Sequence, residues 1–244
     1  MLRYVTTNPG KVREAEQYLA DGSVEQLDFD YTEIQSPELG PIAARGAREA
    51  YREVGGPVLV DDAGLFIEGL DGFPGPYSSY VQETLGIERV RELARPLENA
   101  RAAFRCTLAY CDGEGFAASP DPVDRADRGT AAAAGPDDSA SDAGRTGTNA
   151  DGTNADAAGT EPDTGGMEPA GETDPATTDP LPVKLFEGYV PGRIVDRRGS
   201  GGFGYDPIFE HAGETFAEMD TERKNAVSHR GRALAKFAEW YAER

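Results

Sequence analysis

Between Ala117 and Pro182 the chain holds no aromatic residue, is dominated by Ala, Gly, Asp, Thr and Pro, and repeats Gly-Thr-Asn-Ala-Asp at 147–151 and 152–156. A segment of this kind cannot bury enough apolar surface to offset its conformational entropy. Fourteen acidic residues in it face only Arg125, Arg128 and Arg145, so it also repels itself. About 180 of the 244 residues therefore remain to build a core, the size of one α/β unit. On its flanks, Ala103 to Tyr110 reads as a strand, Asp112-Gly113 as a turn signal and Val183 to Val190 as an antiparallel partner. We therefore expect residues 117–182 to be a disordered acidic low-complexity insertion in a hairpin loop, which closure entropy tolerates at small cost. Residues 1–116 and 183–244 are expected to form a single domain.

The remainder alternates in period. Leu2 to Val5 is a short strand, and Lys11 to Leu19 has helical spacing after an Asn-Pro-Gly turn. Val24 to Tyr31 is a second strand candidate, Ile42 to Val54 a helix, and Pro57 to Val60 a buried strand. Helices are expected near Ser78 to Leu85 and Ile87 to Leu93, and a last one from Ser228 to Tyr241. βαβ segments combined with an antiparallel hairpin predict an α/β fold with a mixed sheet.

The formal net charge of -20 argues against a general nucleic-acid binder, which needs a basic face to neutralise phosphates. A small anionic ligand needs only a few local cations. Four lysines (Lys11, Lys184, Lys224, Lys236) stand against twenty arginines and a large acidic excess. That balance resembles proteins of salt-loving microbes and points to a halophilic archaeon; an acidic protein with an acidic insertion accounts for the same numbers. No run of 18 apolar residues occurs and the N-terminus enters a strand pattern directly, so no membrane span or signal segment is expected and the protein is read as soluble and cytoplasmic. Cys106 and Cys111 form no CxxC or Cys/His cluster and read as ordinary reduced thiols.

Four segments carry chemistry. Thr6-Thr7-Asn8-Pro9-Gly10-Lys11 follows a strand and opens a helix, where backbone amides, hydroxyls and one ammonium suit a phosphate chain. It lacks P-loop glycine spacing, and a plain strand-to-helix turn accounts for it equally well. Pro57 to Val60 leads into Asp61-Asp62, and adjacent acids at the end of a buried strand suit a hard cation such as Mg²⁺. Alternation along a strand predicts that only one of the two faces the site. In Gly201-Gly202-Phe203-Gly204-Tyr205-Asp206, glycines let the backbone approach a flat ligand, Phe203 or Tyr205 can stack on a base, and Asp206 can accept from a base N–H. Aromatic residues packing into a core are the alternative. Finally, Ser228 reads as an N-cap, and Lys224, His229 and Arg230 gather cations at a helix N-terminus, which opposes the macrodipole unless an anion or polar ligand is bound there.

These segments, together with Gly72-Phe73-Pro74-Gly75-Pro76-Tyr77 and Thr215-Phe216-Ala217-Glu218-Met219, resemble in composition and order the inosine triphosphate pyrophosphatase family, also called Ham1-like. The resemblance runs from Leu2 to about Tyr241 and is broken only by the insertion. It implies an elongated mixed β-sheet flanked by helices, of Ham1/Maf-like architecture, with two lobes and the nucleotide cleft between them, and a homodimer. It implies hydrolysis of deaminated purine nucleoside triphosphates (ITP, dITP, XTP) to the monophosphate and pyrophosphate with Mg²⁺. Carried over by position, Thr6, Thr7, Asn8 and Lys11 hold the triphosphate, Glu33 and Asp62 hold Mg²⁺, and Asp62 is the general base. Phe203, Gly204, Tyr205 and Asp206 enclose the base, and Lys224, His229 and Arg230 complete the pocket. Ser79 stands where the family often has lysine, and Arg45 is the residue expected to compensate. A carbonyl at purine position 6 can be met by Arg230 or a backbone N–H, whereas adenine presents a donor there. A nucleotide-binding regulator without turnover, or a pyrophosphatase for other modified nucleotides, are the rival readings.

Overall fold

The computed structural model describes residues 1–19, 24–97, 100–115 and 181–244, so the insertion expected at 117–182 lies outside the described residues apart from Leu181 and Pro182. Strand β1 (Leu2–Val5) leads into helix α1 (Pro9–Tyr18), and β2 (Val24–Leu27) into α2 (Leu39–Val54). Next come β3 (Val58–Ile67), the short β4 (Pro74–Gly75), α3 (Ser78–Leu85) and α4 (Ile87–Ala94). The long pair β5 (Arg101–Cys111) and β6 (Lys184–Ile194) precedes a small hairpin, β7 (Phe209–His211) and β8 (Glu214–Thr215), and the chain closes with α5 (Thr221–Val227) and α6 (His229–Ala242).

The strands form one mixed sheet in the order β2-β1-β3-β5-β6-β7-β8, with β4 beside β3. β1 runs parallel to β2 and β3. The remaining pairs are antiparallel, including the continuous ladders β3–β5 and β5–β6. The α/β class and the hairpin flanking the insertion are as expected from sequence.

Four boundaries differ by three residues or more, among them that of β6, which runs past Val190 to Ile194. β3 does not stop at the two aspartates but continues to Ile67, because Asp61 to Ile67 go on pairing with β5. β2 ends at Leu27, short of Tyr31. Helix α2 begins at Leu39, before Pro41; proline in a first turn costs nothing, since its missing N–H would have no intrahelical acceptor. The β7–β8 hairpin and α5 had no expectation. Helix α5 is only seven residues long, capped by Asp220 accepting from the Arg223 N–H at 2.7 Å.

Side-chain alternation sends the two faces of the sheet to different helices. At one end, Tyr4, Leu59, Leu108 and Phe186 pack against Val12 of α1 and Leu234 and Phe237 of α6. On the opposite face there, Val58, Val60 and Ala109 meet Ala43, Ala47 and Ala50 of α2. At the other end, Leu65, Ile67, Phe104 and Val190 pack with Val81 of α3, Val90 of α4 and Phe209 and Phe216 of the hairpin. β3, β5 and β6 run through both ends, so two lobes share a continuous spine. Cys106 and Cys111 are buried free thiols. Among the described residues no helix is long and apolar enough to cross a membrane.

Candidate active site

Between the lobes lies a cleft of about 680 Å³. β1 delivers Thr6 and Thr7 to its wall, and α1, which starts immediately afterwards, presents Lys11 and, one turn on, Glu14. The middle of β3 contributes Asp61 and Asp62, the segment after β2 contributes Tyr31 and Glu33, and α3 contributes Ser79 and Gln82. Phe203, Gly204, Tyr205 and Asp206 close the far side, with Lys224 from α5 and His229 and Arg230 from the first turn of α6.

Both aspartates line the cleft, in environments that separate their chemistry. Asp61 is buried; its Oδ1 accepts from Lys11 Nζ at 2.9 Å and its Oδ2 from Arg230 Nε at 3.1 Å. Burial alone would raise its pKa, but Lys11 and Arg230 outweigh that and hold the carboxyl below the usual carboxylate range. Asp62 points the other way along the alternating strand. Its Oδ1 accepts from the Ala63 N–H at 3.0 Å, and its Oδ2 is buried with no hydrogen-bond partner among the described residues. Burial first, then the neighbouring Asp61 charge, push its pKa up to about 7; the Ala63 N–H opposes this and Glu33 adds to it. A carboxylate poised near neutrality with one free oxygen is the protonation state a general base needs.

Arg230 is also bound to Glu14, at 3.5 Å, and Glu14 Oε1 accepts from Ser228 Oγ at 3.3 Å. That hydroxyl caps α6 by accepting the Gly231 N–H at 2.8 Å. Lys11, Asp61, Arg230, Glu14 and Ser228 thus form one chain of contacts between α1, β3 and α6. Glu14 went unnoticed in the sequence; the signal was its place one helical turn after Lys11, on the same face.

The expected cation cluster at the start of α6 is corrected. Lys224 belongs to the last turn of α5, where the macrodipole favours a cation, and is bound to Asp206 at 2.5 Å. His229 is not a cation: burial first, then Arg230, lower its pKa to about 3, and its ring stacks on Phe104 at 4.9 Å. Of the three expected residues only Arg230 carries charge at that helix end, and Asp61 and Glu14 compensate it.

Other expectations divide. Asn8 does not line the cleft; its side chain caps α1 by accepting from the Gly10 N–H at 2.8 Å. Arg45 does not line it either and is paired with Glu49 one turn further along α2. Tyr205 is a core residue whose hydroxyl donates to Ser78 O at 2.9 Å, whereas Phe203 is 66% exposed and free to stack. Lys224 lies 4.3 Å from the Phe203 ring centroid. Asp206 Oδ2 already accepts from Lys224 and from the Phe203 N–H at 2.7 Å, so it holds the loop in shape.

Among the described residues no three Asp, Glu, His or Cys side chains are grouped to cage a metal by themselves. Asp62 with its unpartnered oxygen and nearby Glu33 nevertheless form an oxygen-donor pair that fits a hard cation whose remaining ligands come from water and phosphate.

The Ham1 family model matches residues 2–121 and 173–240. A dITP/XTP pyrophosphatase of Thermococcus kodakarensis is 36% identical over 247 residues, covering 99% of this chain and 97% of that protein. Another, of Methanopyrus kandleri, is 38% identical over 243 residues, covering 98% and 94%. A solved HAM1 protein from Coxiella burnetii superposes with a TM-score of 0.65 at 25% identity, covering 100% of both chains. Matched in sequence along nearly its whole length and in fold throughout, the chain belongs to the Ham1 family.

Proposed function

We propose that the chain hydrolyses deaminated purine nucleoside triphosphates, ITP, dITP and XTP, to the monophosphate and pyrophosphate, and so cleanses the cytoplasmic nucleotide pool. The observation that carries this reading is the divergence of the two adjacent aspartates: Asp61 is charged and locked to Lys11 and Arg230, while Asp62 keeps a free buried oxygen and a pKa near 7. The names of the relatives, dITP/XTP pyrophosphatases, support the substrate class.

Thr6, Thr7 and the N-terminus of α1 receive the triphosphate, with Lys11 supplying the point charge beside it. With Arg45 engaged by Glu49, charge neutralisation falls on Lys11, Arg230 and a divalent cation. Glu33 and Asp62 would hold Mg²⁺, which when bound supplies positive charge to the phosphate oxygens as pyrophosphate leaves. The attacking water bonds to the α-phosphorus as its proton passes to the Asp62 carboxylate, the α–β anhydride bond breaks, pyrophosphate leaves, and no covalent intermediate forms. Phe203 offers its exposed ring to the base, and Asp206 and Lys224 keep that ring in place. The homodimer rests on the family resemblance.

Asp62→Asn is nearly isosteric and removes the proton acceptor. It should abolish pyrophosphate release with little change in thermal midpoint; a variant with wild-type turnover would remove both roles from Asp62.

A further inference from the structure

Gln82 is a polar side chain of the cleft that none of these contacts employs. It lies one turn into α3, half-buried, and its amide makes no hydrogen bond among the described residues. Its Oε1 lies only 3.0 Å from where a Cβ on Gly204 would sit, an approach open because Gly204 has no side chain; at φ 62 the position favours glycine in any case. Gly204 directly follows Phe203, and the amide lines the same cleft as that exposed ring. Three bonds fix this juxtaposition. Tyr205 ties the loop to α3 through Ser78 O, and Ser78 Oγ accepts the Leu65 N–H at 2.8 Å and donates to Gly75 O at 2.6 Å. Loop and helix are therefore held to the same strand, as a recognition site requires.

We propose that Gln82 reads the lactam edge of the base, its amide nitrogen donating to the ring carbonyl and its amide oxygen accepting the adjacent ring N–H. A primary amide carries one donor face and one acceptor face side by side, which is the complement of a lactam. A half-buried amide without a protein partner is satisfied by water or ligand, and one aimed into a cleft beside a stacking ring is placed to exchange water for a base edge. Gln82 thereby contributes affinity for the polar edge; turned over, an amide also pairs with adenine, so rejection of ATP lies with donors that cannot turn.

The proposal rests on a nucleotide occupying this cleft, so the test reads binding separately from turnover. Calorimetry with Mg²⁺ compares the α,β-methylene analogue of ITP with that of purine riboside triphosphate, whose base lacks both the carbonyl and the ring N–H. Leucine and glutamate are good helix formers at a half-exposed helical position, so Gln82→Leu and Gln82→Glu should fold. Gln82→Leu should weaken the ITP analogue about tenfold, as expected for one to two net hydrogen bonds, and leave the purine riboside analogue unchanged. Gln82→Glu, an acceptor only, should weaken the ITP analogue at least as much, because it has no donor for the ring carbonyl. Equal losses for both bases, or no loss, overturn the assignment. A wild-type protein that binds neither analogue overturns it together with the nucleotide reading. Base-dependent binding by Gln82 without pyrophosphate release sinks the proposed reaction alone.

Discussion

Gly188, on β6, decides where the active-site end of α6 can sit. A Cβ built there would lie 1.8 Å from the His229 carbonyl oxygen and 2.8 Å from the Ala233 nitrogen, both backbone atoms that no rotamer change can move. Ordinary contact begins near 3.4 Å, so Gly188→Ala must drive the first turn of α6 away from β6 by about 1.6 Å. That turn carries Arg230, 3.1 Å from Asp61, and His229, stacked on Phe104. A shift of this size breaks the Arg230–Asp61 contact and loosens the hold on Lys11. Overpacking of this kind costs about 1–3 kcal/mol, and misplacing binding groups by about 1 Å costs about 100-fold in rate. We expect kcat/KM for pyrophosphate release to fall about 100-fold at a temperature where the variant is fully folded, with a modestly lowered thermal midpoint. Wild-type kcat/KM with an unchanged midpoint would refute the argument that close β6–α6 packing positions the site.

Asp61→Asn leaves Lys11 and the buried Arg230 without their shared counter-charge, which should destabilise the fold by about 3–5 kcal/mol. Inorganic pyrophosphate should raise the thermal midpoint of that variant more than it raises the wild type; equal shifts would show that the two cations do not face the anion site. His229 gives a pH signature. Its folded pKa, about 3, lies below the ordinary 6.5, so the unfolded chain binds the extra proton between these values. Its contribution is complete above pH 6.5 and is lost as pH falls towards 3, at up to about 1.4 kcal/mol per pH unit. Asp62, raised to about 7, works the other way over the same range because there the folded state binds the extra proton, so the comparison with His229→Phe isolates the imidazole. Between pH 7 and pH 5 the wild type should lose about 2 kcal/mol more than the variant in chemical denaturation, and an equal pH dependence in both proteins would mean the imidazole is not held neutral.

The parts legible in the sequence were those written in local pattern. The hairpin around the insertion, helices α3 and α4 and the strand at Leu2 to Val5 follow from periodicity and turn residues, and the cleft follows from motifs at the ends of those elements. What pattern could not carry was pairing across the chain. Asp61 is bound to residues 50 and 169 positions away, and nothing local to β3 distinguishes it from Asp62. The continuation of β3 beyond the aspartates depends on β5, so the carboxylates looked like a terminus. Tyr205 was of the right chemical type, but it is turned into the core by Ser78, 127 positions away, whereas the Arg45–Glu49 pair is an i,i+4 contact on one helix that the sequence could have shown. The charge of His229 was misread because burial, which neutralises it, is a tertiary property.

The central claim is that this cleft hydrolyses deaminated purine triphosphates with a bound divalent cation. Pyrophosphate release measured with ITP, dITP, XTP, ATP and GTP, each with and without Mg²⁺ and at molar salt, tests it most directly. Release is expected from ITP, dITP and XTP, only with metal and far faster than from ATP or GTP. Tight binding of these nucleotides without release, or equal rates on ATP, would contradict it.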